Sequence, residues 1–183
     1  MSDAGPGDAF VVTVPRIATE RLLLREFRTG DFDGFAANMA DPEATKFLLS
    51  STTDRRMAWR IFSSAAGGWV LSGAGWWAVE ARESGEMVGT VGAFMRESFP
   101  DIEIGWTLYR RFWGKGYATE AARAAVAFSF DVHRARRVIA HIAPKNAPSI
   151  AVSERLGMTF ETDVDLFGEP AGRYVMERES GAP

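Results

Sequence analysis

The feature that most constrains this chain is a short glycine-bearing loop between two regular segments. The loop, residues 110–116, reads RRFWGKG. Before it, residues 101–108 alternate apolar with polar or small side chains, as a strand does, and after it residues 117–133 carry alanines and apolar residues at helical spacing. A helix N-terminus presents unpaired N–H groups and partial positive charge, and glycine lets a ligand approach the backbone closely. The segment therefore predicts a phosphate or pyrophosphate site.

Two common phosphate-binding motifs fit this loop poorly. A Walker A loop needs G-x-x-x-x-G-K-[ST], but Tyr109 stands five residues before Gly114, and Gly116 follows Lys115. A dinucleotide fingerprint needs G-x-G-x-x-G, and Thr119 occupies the place of its third glycine. A nucleotide or dinucleotide binder is therefore the weaker interpretation.

Elsewhere, the residue pattern predicts a mixed α+β domain with a largely antiparallel sheet. Strand-like runs lie at residues 21–27, 76–81, 87–94, 101–108, 137–142, 158–166 and 173–177. Helical spacing occurs at residues 31–39, 53–66, 117–133 and 146–156. The expected helix ends are Asp31 and Asn146 as N-caps, Gly157 after the last helix and Gly67-Gly68 after the second. Met57 in the second helix is expected to face inward.

Composition and charge exclude several classes of function. The 183 residues suit one domain, predicted over residues 16–179 behind a flexible tail at 1–15. A net charge of −3 gives no basic field for nucleic acid. The absence of cysteine excludes disulfides, thiolate metal sites and a cysteine nucleophile, and with two histidines we expect no metal site. No apolar run approaches the ~18 residues of a membrane helix, and the N-terminus does not resemble a signal peptide. We therefore expect a cytoplasmic protein without a membrane partner.

The loop also contains R-x-x-G-x-G, formed by Arg111, Gly114 and Gly116, and here the sequence resembles the GNAT acetyltransferase superfamily. The nearer resemblance is to its RimJ/RimL-like branch, which acetylates protein N-termini and various other amines. The resemblance covers nearly the whole chain, and its motifs are TERL at 19–22, EIGW at 103–106, WGKGYATE at 113–120, Asn146-x-x-Ser149 and LGM at 156–158. One R-x-x-G-x-G occurs often by chance, whereas this ordered set is specific.

The resemblance implies the acyl-CoA N-acyltransferase fold, with a mixed, mostly antiparallel sheet of about seven strands flanked by helices. It also implies a splay between strands 4 and 5, the runs at 101–108 and 137–142. Acetyl-CoA would be the cofactor, with its pantetheine in that gap beside Trp106, Leu108 and Asn146. The residues implied to hold the pyrophosphate, chiefly through their backbone, are Arg111, Phe112, Trp113, Gly114, Lys115, Gly116, Tyr117 and Ala118.

Acetyl transfer to an amine needs a group that takes up the amine proton, directly or through water. Glu103 is the candidate base, because the superfamily often places an acid on the strand before the loop. A partly buried carboxyl there would have a raised pKa. Asp101 is a weaker candidate, and a solvated, outward Glu103 is the structural alternative.

Ser149 is the candidate group that protonates or hydrogen-bonds the departing sulfur, as the resemblance implies for the matching serine. Many superfamily members use a tyrosine one helical turn later, but this chain has Ser153 there. Capping of the first helical turn near Asn146 is the alternative role for Ser149.

The remaining titratable and aromatic residues favour structural roles. His133 stands near a helix C-terminus, and His141 lies on a predicted strand from which it could reach the cleft. Glu161, Asp163 and Asp165 form either a solvated strand face or an acidic rim that attracts a cationic amine. Most of the aromatic residues before the third helix are expected in the core, with some in the wall of the acceptor pocket.

The resulting hypothesis is an N-acetyltransferase that moves acetyl directly from acetyl-CoA to a primary amine. The acceptor, a protein N-terminus, an amino acid or another small amine, is not readable from the fold. A non-catalytic acyl-CoA-binding or sensor domain on the same scaffold is the alternative. Dimers are common in the family, so a homodimer is left open.

Overall fold

The computed structural model of the chain describes residues 12–97 and 99–178. Most of the predicted tail at 1–15 lies outside the described residues. Its last part is not free: Val12 and Val14 pack against the core, and the Pro15 carbonyl accepts a hydrogen bond from the Trp77 indole N–H at 2.8 Å. Residues 12–15, which the prediction counted in the tail, thus include residues that pack on the core or are hydrogen-bonded to it.

The described residues form one sheet of eight strands in the order β1-β2-β3-β4-β5-β6-β8-β7. The strands are β1 (Ile17–Ala18), β2 (Leu22–Arg25), β3 (Gly75–Ala81), β4 (Glu86–Arg96), β5 (Phe99–Leu108), β6 (Arg137–Ile142), β7 (Thr159–Leu166) and β8 (Glu169–Glu177). All neighbours are antiparallel except β5 and β6. The predicted α+β class is confirmed, and the extra strand is the two-residue β1, which is too short to show a period of two.

Five helices flank the sheet in the described ranges. They are α1 (Phe32–Met39), α2 (Pro42–Thr45), α3 (Arg55–Ser72), α4 (Tyr117–Asp131) and α5 (Ala147–Leu156). Helix α4 packs on β4 and β5, with Ala121, Ala122 and Ala125 fully buried. Such small side chains bring the helix close to the sheet, and its N-terminus follows the loop after β5. None of these helices is long and apolar enough to cross a membrane.

The predicted splay between strands 4 and 5 is confirmed, and it lies between β5 and β6. These two strands pair at Ile102↔Val138 and Glu103↔Ile139. They then diverge, although β5 continues to Leu108 and β6 continues to Ile142. On its other side β5 stays paired with β4 as far as Leu108. One edge of β5 is therefore open to a gap.

The second predicted helix continues beyond its expected end. Helix α3 runs through Gly67-Gly68 to Ser72, and Gly73 ends it with a φ of +65°. A Cβ on Gly68 would lie 3.1 Å from the Ala74 carbonyl oxygen, so this glycine serves close packing rather than termination. Met57 is 43% exposed, and the prediction that it faces inward is wrong.

Of the other predicted helix ends, those of α5 are confirmed and the N-cap of α1 is wrong. Asn146 caps α5, and Gly157 follows it with a φ of +90°, as predicted. Asp31 does not cap α1; its carboxylate instead accepts two hydrogen bonds from the Arg25 guanidinium at 2.8 Å. The stretch between the predicted strands at 158–166 and 173–177 is mostly strand: Phe167 adopts a φ of +57° in a tight turn, and β8 already begins at Glu169.

Candidate active site

The loop before α4 presents backbone donors around two glycines in left-handed conformation. Gly114 and Gly116 have φ values of +75° and +78°, which favour glycine over other residues. Within the described ranges, the amides of Gly114, Lys115, Gly116 and Tyr117 have no acceptor in the protein. Because these amides stand at the N-terminus of the 15-residue helix α4, they form the kind of backbone site that binds a phosphate group.

Two amides and one side chain predicted for this site are engaged elsewhere. The Phe112 and Trp113 amides donate to the carbonyls of Tyr109 and Arg110 at 2.8 and 3.1 Å. The amides of Phe112 and Trp113 are therefore not available to a ligand, because the chain makes a tight 3₁₀ turn there. The Arg111 guanidinium forms an ion pair with Glu86 of β4, so it does not stand free beside the loop.

The loop is held in place by Thr19 and Arg21, which lie between β1 and β2. The Glu120 carboxylate accepts hydrogen bonds from the Thr19 hydroxyl at 2.6 Å and the Arg21 amide at 2.8 Å. The Arg21 side chain binds that same carboxylate, and it donates to the Lys115 carbonyl at 2.9 Å. Burial raises the pKa of Glu120, but these hydrogen bonds outweigh burial and hold the pKa below its usual range. The TERL and WGKGYATE motifs thus meet in space as one brace.

A cleft of about 1450 Å³ runs along the gap between β5 and β6. Trp106 lines it, as do Asn146 and Ser149 at the start of α5. Leu108, which was predicted beside Trp106, is 7% exposed, and its carbonyl accepts a hydrogen bond from the Trp113 indole at 2.8 Å. The Leu108 carbonyl is therefore already hydrogen-bonded within the protein, and the role of Leu108 beside the cofactor stays a prediction.

The first turn of α5 contributes a polar pair to the cleft. The Asn146 side-chain oxygen accepts a hydrogen bond from the Ser149 amide at 3.3 Å, so Asn146 is the N-cap and its NH2 group stays available as a donor. Capping therefore uses the backbone of Ser149 and not its hydroxyl. Ser149 is half-buried, and in the described part of the chain its hydroxyl has no hydrogen-bond partner.

Glu103 lies where β5 and β6 begin to separate, and it is not solvated. Its side chain is 6% exposed. Arg96 of β4 donates two hydrogen bonds to the carboxylate, from Nε to Oε2 at 2.5 Å and from Nη2 to Oε1 at 3.2 Å. The guanidinium in turn lies over the rings of Phe94 and Phe167, at 5.0 and 5.6 Å. The outward, solvated alternative for Glu103 is thereby excluded.

His141 of β6 lies behind this ion pair. Its side chain has no exposed surface, and its Nδ1 lies 3.3 Å from Oε2 of Glu103. That distance permits an ion pair when the imidazole is protonated, but within the described residues neither ring nitrogen has a partner of hydrogen-bonding geometry. His141 is among the residues around the cleft, but because its side chain has no exposed surface, the imidazole itself does not open into the cleft.

The pKa of the Glu103 carboxyl is shifted in the direction opposite to the sequence-based expectation. Burial raises it, but the neighbouring His141 and Arg96 together outweigh burial and hold the pKa below its usual range. The expectation of a raised pKa is wrong because Arg96 stands on the adjacent strand, where sequence spacing does not reveal it.

The other predicted acids lie away from the cleft. Asp101 pairs with Arg137 at 3.0 Å, and the same arginine binds Glu161 at 2.9 Å. Neither Asp163 nor Asp165 belongs to the cleft lining in the described structure. The acidic strand face is thus a solvated and partly ion-paired surface, and it does not form a rim of the pocket.

Four side chains of the site were given no role by sequence reasoning or were considered structural. They are Arg21, Arg96, Glu120 and His141. The first and third stand inside the motifs that support the family resemblance, so a signal for them was present. The pairing of Arg96 with Glu103 left no signal, because it depends on the register between β4 and β5.

Comparison with known proteins agrees with this geometry. A family model described as an acetyltransferase (GNAT) domain matches residues 21–159. An N-acetyltransferase named p20 from Bacillus licheniformis is 31% identical over 160 residues, which are 86% of this chain and 89% of that protein.

Solved structures share the fold. The acetyltransferase from Agrobacterium tumefaciens strain C58 matches with a TM-score of 0.82 and 29% identity, covering 93% of this chain and 99% of that one. The spermidine N-acetyltransferase from Vibrio cholerae, solved with CoA and spermine, matches with a TM-score of 0.72 and 15% identity, covering 87% of this chain and 96% of that one. Taken with the splayed sheet and the amide loop, the family match shows that this chain belongs to the GNAT acetyltransferase family.

Proposed function

We propose that this protein moves an acetyl group from acetyl-CoA to a primary amine. The observation that carries the proposal is the combination of unpaired amides before α4 with the open edge of β5. The amides suit a diphosphate, and an open strand edge suits an extended chain of amide groups. Coenzyme A contains both parts. The spermidine N-acetyltransferase of the same fold, solved with CoA, supports this cofactor.

The chain's own residues fit the cofactor in two places. We propose that the amides of Gly114, Lys115 and Gly116, and those of Tyr117 and Ala118 in the first turn of α4, bind the diphosphate. The Lys115 ammonium lies 5.2 Å from the ring of Phe112 and has no carboxylate partner among the described residues, so it can add charge. Trp106 and the Asn146 NH2 group would face pantetheine.

Glu103 is proposed to act on the acceptor amine through charge and a water relay. Acetyl-CoA supplies the thioester that the amine attacks. Because the pKa of Glu103 is held low, its carboxylate stays ionised at neutral pH but is a weak base, far weaker than an alkylamine of pKa ~10.4. It therefore suits stabilising the positive charge that develops on the attacking nitrogen and passing a proton to water.

Ser149 is proposed to donate its hydroxyl hydrogen to the departing sulfur. Its amide is already used in capping by Asn146, which fixes the backbone and leaves the hydroxyl free to turn. The position that a tyrosine fills in many relatives is Ser153, whose hydroxyl donates to the Ile150 carbonyl at 2.8 Å. Ser153 is fully buried, so it is not a competing proton donor.

The transfer is proposed to be direct. The chain contains no cysteine, and a covalent acyl intermediate needs an activated nucleophile with an adjacent base. Mass spectrometry of the protein mixed with acetyl-CoA alone tests this step. A stable mass increase of one acetyl group at a cleft residue would contradict direct transfer.

Within the family, we propose that the chain belongs with the RimJ/RimL-like branch. The brace that Glu120 forms with Thr19 and Arg21 gives a physical reason for two of the branch's motifs to occur together. The proposal predicts that CoA binding weakens when either motif, TERL or WGKGYATE, is replaced alone. Replacing both with the matched pair of motifs from one branch member should retain CoA binding.

One observation favours a second candidate, a non-catalytic acyl-CoA-binding domain. Arg96 neutralises Glu103, and a sensor needs no acid in the cleft. This candidate predicts CoA binding without turnover of any amine, and indifference to Glu103→Gln.

The two candidates separate in one experiment. CoA affinity is measured by calorimetry, and CoA release is followed with a thiol reagent in the presence of acetyl-CoA and a panel of primary amines. Binding with amine-dependent release supports the transferase. Binding without release supports the sensor, and the absence of CoA binding contradicts both.

A further inference from the structure

An aromatic pair lies in the cleft beside Glu103. Trp76 of β3 and Phe94 of β4 stack with ring centroids 4.8 Å apart and an interplanar angle of 22°. Both rings line the cleft and are partly exposed. Phe94 is the cross-strand partner of Glu103, so the pair stands next to the carboxylate.

Two glycines make room for these rings. Trp76, Gly92 and Gly105 form one row across β3, β4 and β5. A Cβ on Gly92 would lie 2.8 Å from both rings, and a Cβ on Gly105 would lie 2.7 Å from the Trp76 ring. Any larger residue in either place would displace the rings. The sheet surface here is thus shaped to hold an aromatic wall.

Other apolar residues line the same cleft. Four of them have large exposed fractions, Leu48 at 36%, Leu49 at 51%, Leu71 at 89% and Met95 at 49%. Exposed apolar groups gathered around a cleft mark a surface that binds apolar matter.

The charged groups of the cleft do not suit a polycation. Of its acidic groups, Glu103 is already paired with Arg96. Lys46 and Arg60 line the same cleft, and they repel a ligand with several positive charges. The other acidic lining residues in the described structure are Glu97 and Glu169.

From these observations we infer that the acceptor is a primary amine carrying an aromatic or bulky apolar group close to its nitrogen. This inference rests on the proposed function. That group packs against Trp76 and Phe94, and the nitrogen then lies toward Glu103. The wall sets specificity, because stacking and burial strengthen binding of the acceptor without touching the reacting atoms.

The test compares three acceptors and three proteins. kcat/KM is measured by CoA release with 2-phenylethylamine, ethylamine and spermidine for the parent protein, Trp76→Leu and Trp59→Leu. Trp59 is the matched control, since it is 44% exposed and packs on Phe62 outside the cleft lining. CoA affinity of each variant, measured by calorimetry, shows that the fold is retained, and Phe94→Leu serves as a second wall variant.

The expected result is that the parent protein prefers 2-phenylethylamine to both other amines by roughly tenfold or more. Trp76→Leu and Phe94→Leu should remove most of that preference, so that the ratio of kcat/KM for 2-phenylethylamine to kcat/KM for ethylamine falls toward one. Trp59→Leu should keep the preference.

Two results overturn the inference while the proposed function stands: turnover that favours spermidine or ethylamine, or a preference for 2-phenylethylamine that survives in both wall variants. CoA binding without turnover of any amine, or no CoA binding, contradicts the transferase proposal and the inference with it.

Discussion

The two ends of the cleft are built from different parts of the polypeptide. At the loop before α4, the donors are backbone amides of Gly114 and its neighbours, set by glycine conformations and by the start of a helix. The other end lies where β5 and β6 separate, which we call the β5–β6 fork. Its polar groups are side chains from three strands, Glu103 with Arg96 and His141. A backbone site tolerates changes in side chains, whereas a side-chain site depends on each partner.

This difference explains how one scaffold keeps a cofactor while acceptors vary. Backbone amides can bind a phosphate group whatever side chains surround them, so the proposed diphosphate site would persist. The fork and the aromatic wall can change one residue at a time without disturbing those amides. Variants at the two ends should therefore separate cofactor binding from turnover, in the following order of expected effect.

The largest effect is expected for Glu103→Gln. Loss of the carboxylate should lower kcat by about 100-fold, while CoA affinity changes by less than about threefold, because the amide loop is untouched. Steady-state kinetics and calorimetry check the two values. Asp101→Asn is the control and should retain kcat, since Asp101 pairs with Arg137 outside the cleft. Unchanged kcat in Glu103→Gln would contradict the role given to this residue.

Arg96→Met should change the pH dependence at the same end. Because Arg96 and His141 hold the pKa of Glu103 below its usual range, the carboxylate in the parent protein stays ionised until the pH falls below that range. Removal of Arg96 takes away one of the two groups that lower the pKa of Glu103, so this pKa should rise and the acid limb of the kcat/KM profile should move toward neutral pH. The stability that ionised Glu103 contributes is present above its unfolded-state pKa and is lost as pH falls through the folded-state value.

The measurement is a pair of pH profiles, for kcat/KM and for the unfolding free energy. Arg111→Met is the matched control, because Arg111 pairs with Glu86 on the surface and should leave the acid limb in place. An acid limb at the same pH in the parent protein and Arg96→Met would show that Arg96 does not set the ionisation of Glu103.

At the other end, Gly116→Ala should weaken CoA binding by about tenfold, with kcat at saturating cofactor largely retained. Alanine at a φ of +78° is strained by about 1–2 kcal/mol, which should distort the amides that we propose bind the diphosphate. Gly85→Ala is the matched control, since Gly85 has a φ of +69° in the β3–β4 turn with open space around it. Equal loss of CoA affinity in both variants would point to general destabilisation.

A smaller effect is expected for Glu120→Gln. The variant removes the charge that holds Arg21 but keeps a hydrogen-bonding side chain, so CoA affinity should fall by roughly threefold. Calorimetry measures it, with Arg16→Ala as control because Arg16 pairs with Glu26 elsewhere on the surface. A CoA affinity equal to that of the parent would show that the brace does not position the loop.

The sequence predicted the backbone end of the site better than the side-chain end. Gly114 and Gly116 could be recognised from the sequence because a left-handed backbone favours glycine and a helix start has a local sequence signal. The alternation of residues 101–108 and the apolar run at 137–142 gave the two strands that diverge. These features depend on neighbours in the chain, and local patterns report them.

The fork could not be predicted in the same way. Whether Glu103 is free or paired depends on Arg96, seven residues away, and on a register shift between Phe94 and Arg96. The position of His141 depends on how a later strand docks against β5. Likewise Gly68 resembles a helix end in sequence, but its role is close packing against Ala74. Strand register and strand docking depend on contacts between residues that are distant in the sequence, so no local sequence pattern reports them.

The most direct test measures backbone amide chemical shifts of residues 114–118 by NMR during titration with CoA and, separately, with pantetheine, which lacks the diphosphate. We expect large shifts at these amides with CoA and small ones with pantetheine, while Trp106 and Asn146 respond to both. If the amides of 114–118 stayed unchanged with CoA, or responded equally to pantetheine, the diphosphate would bind elsewhere and the site described above would be contradicted.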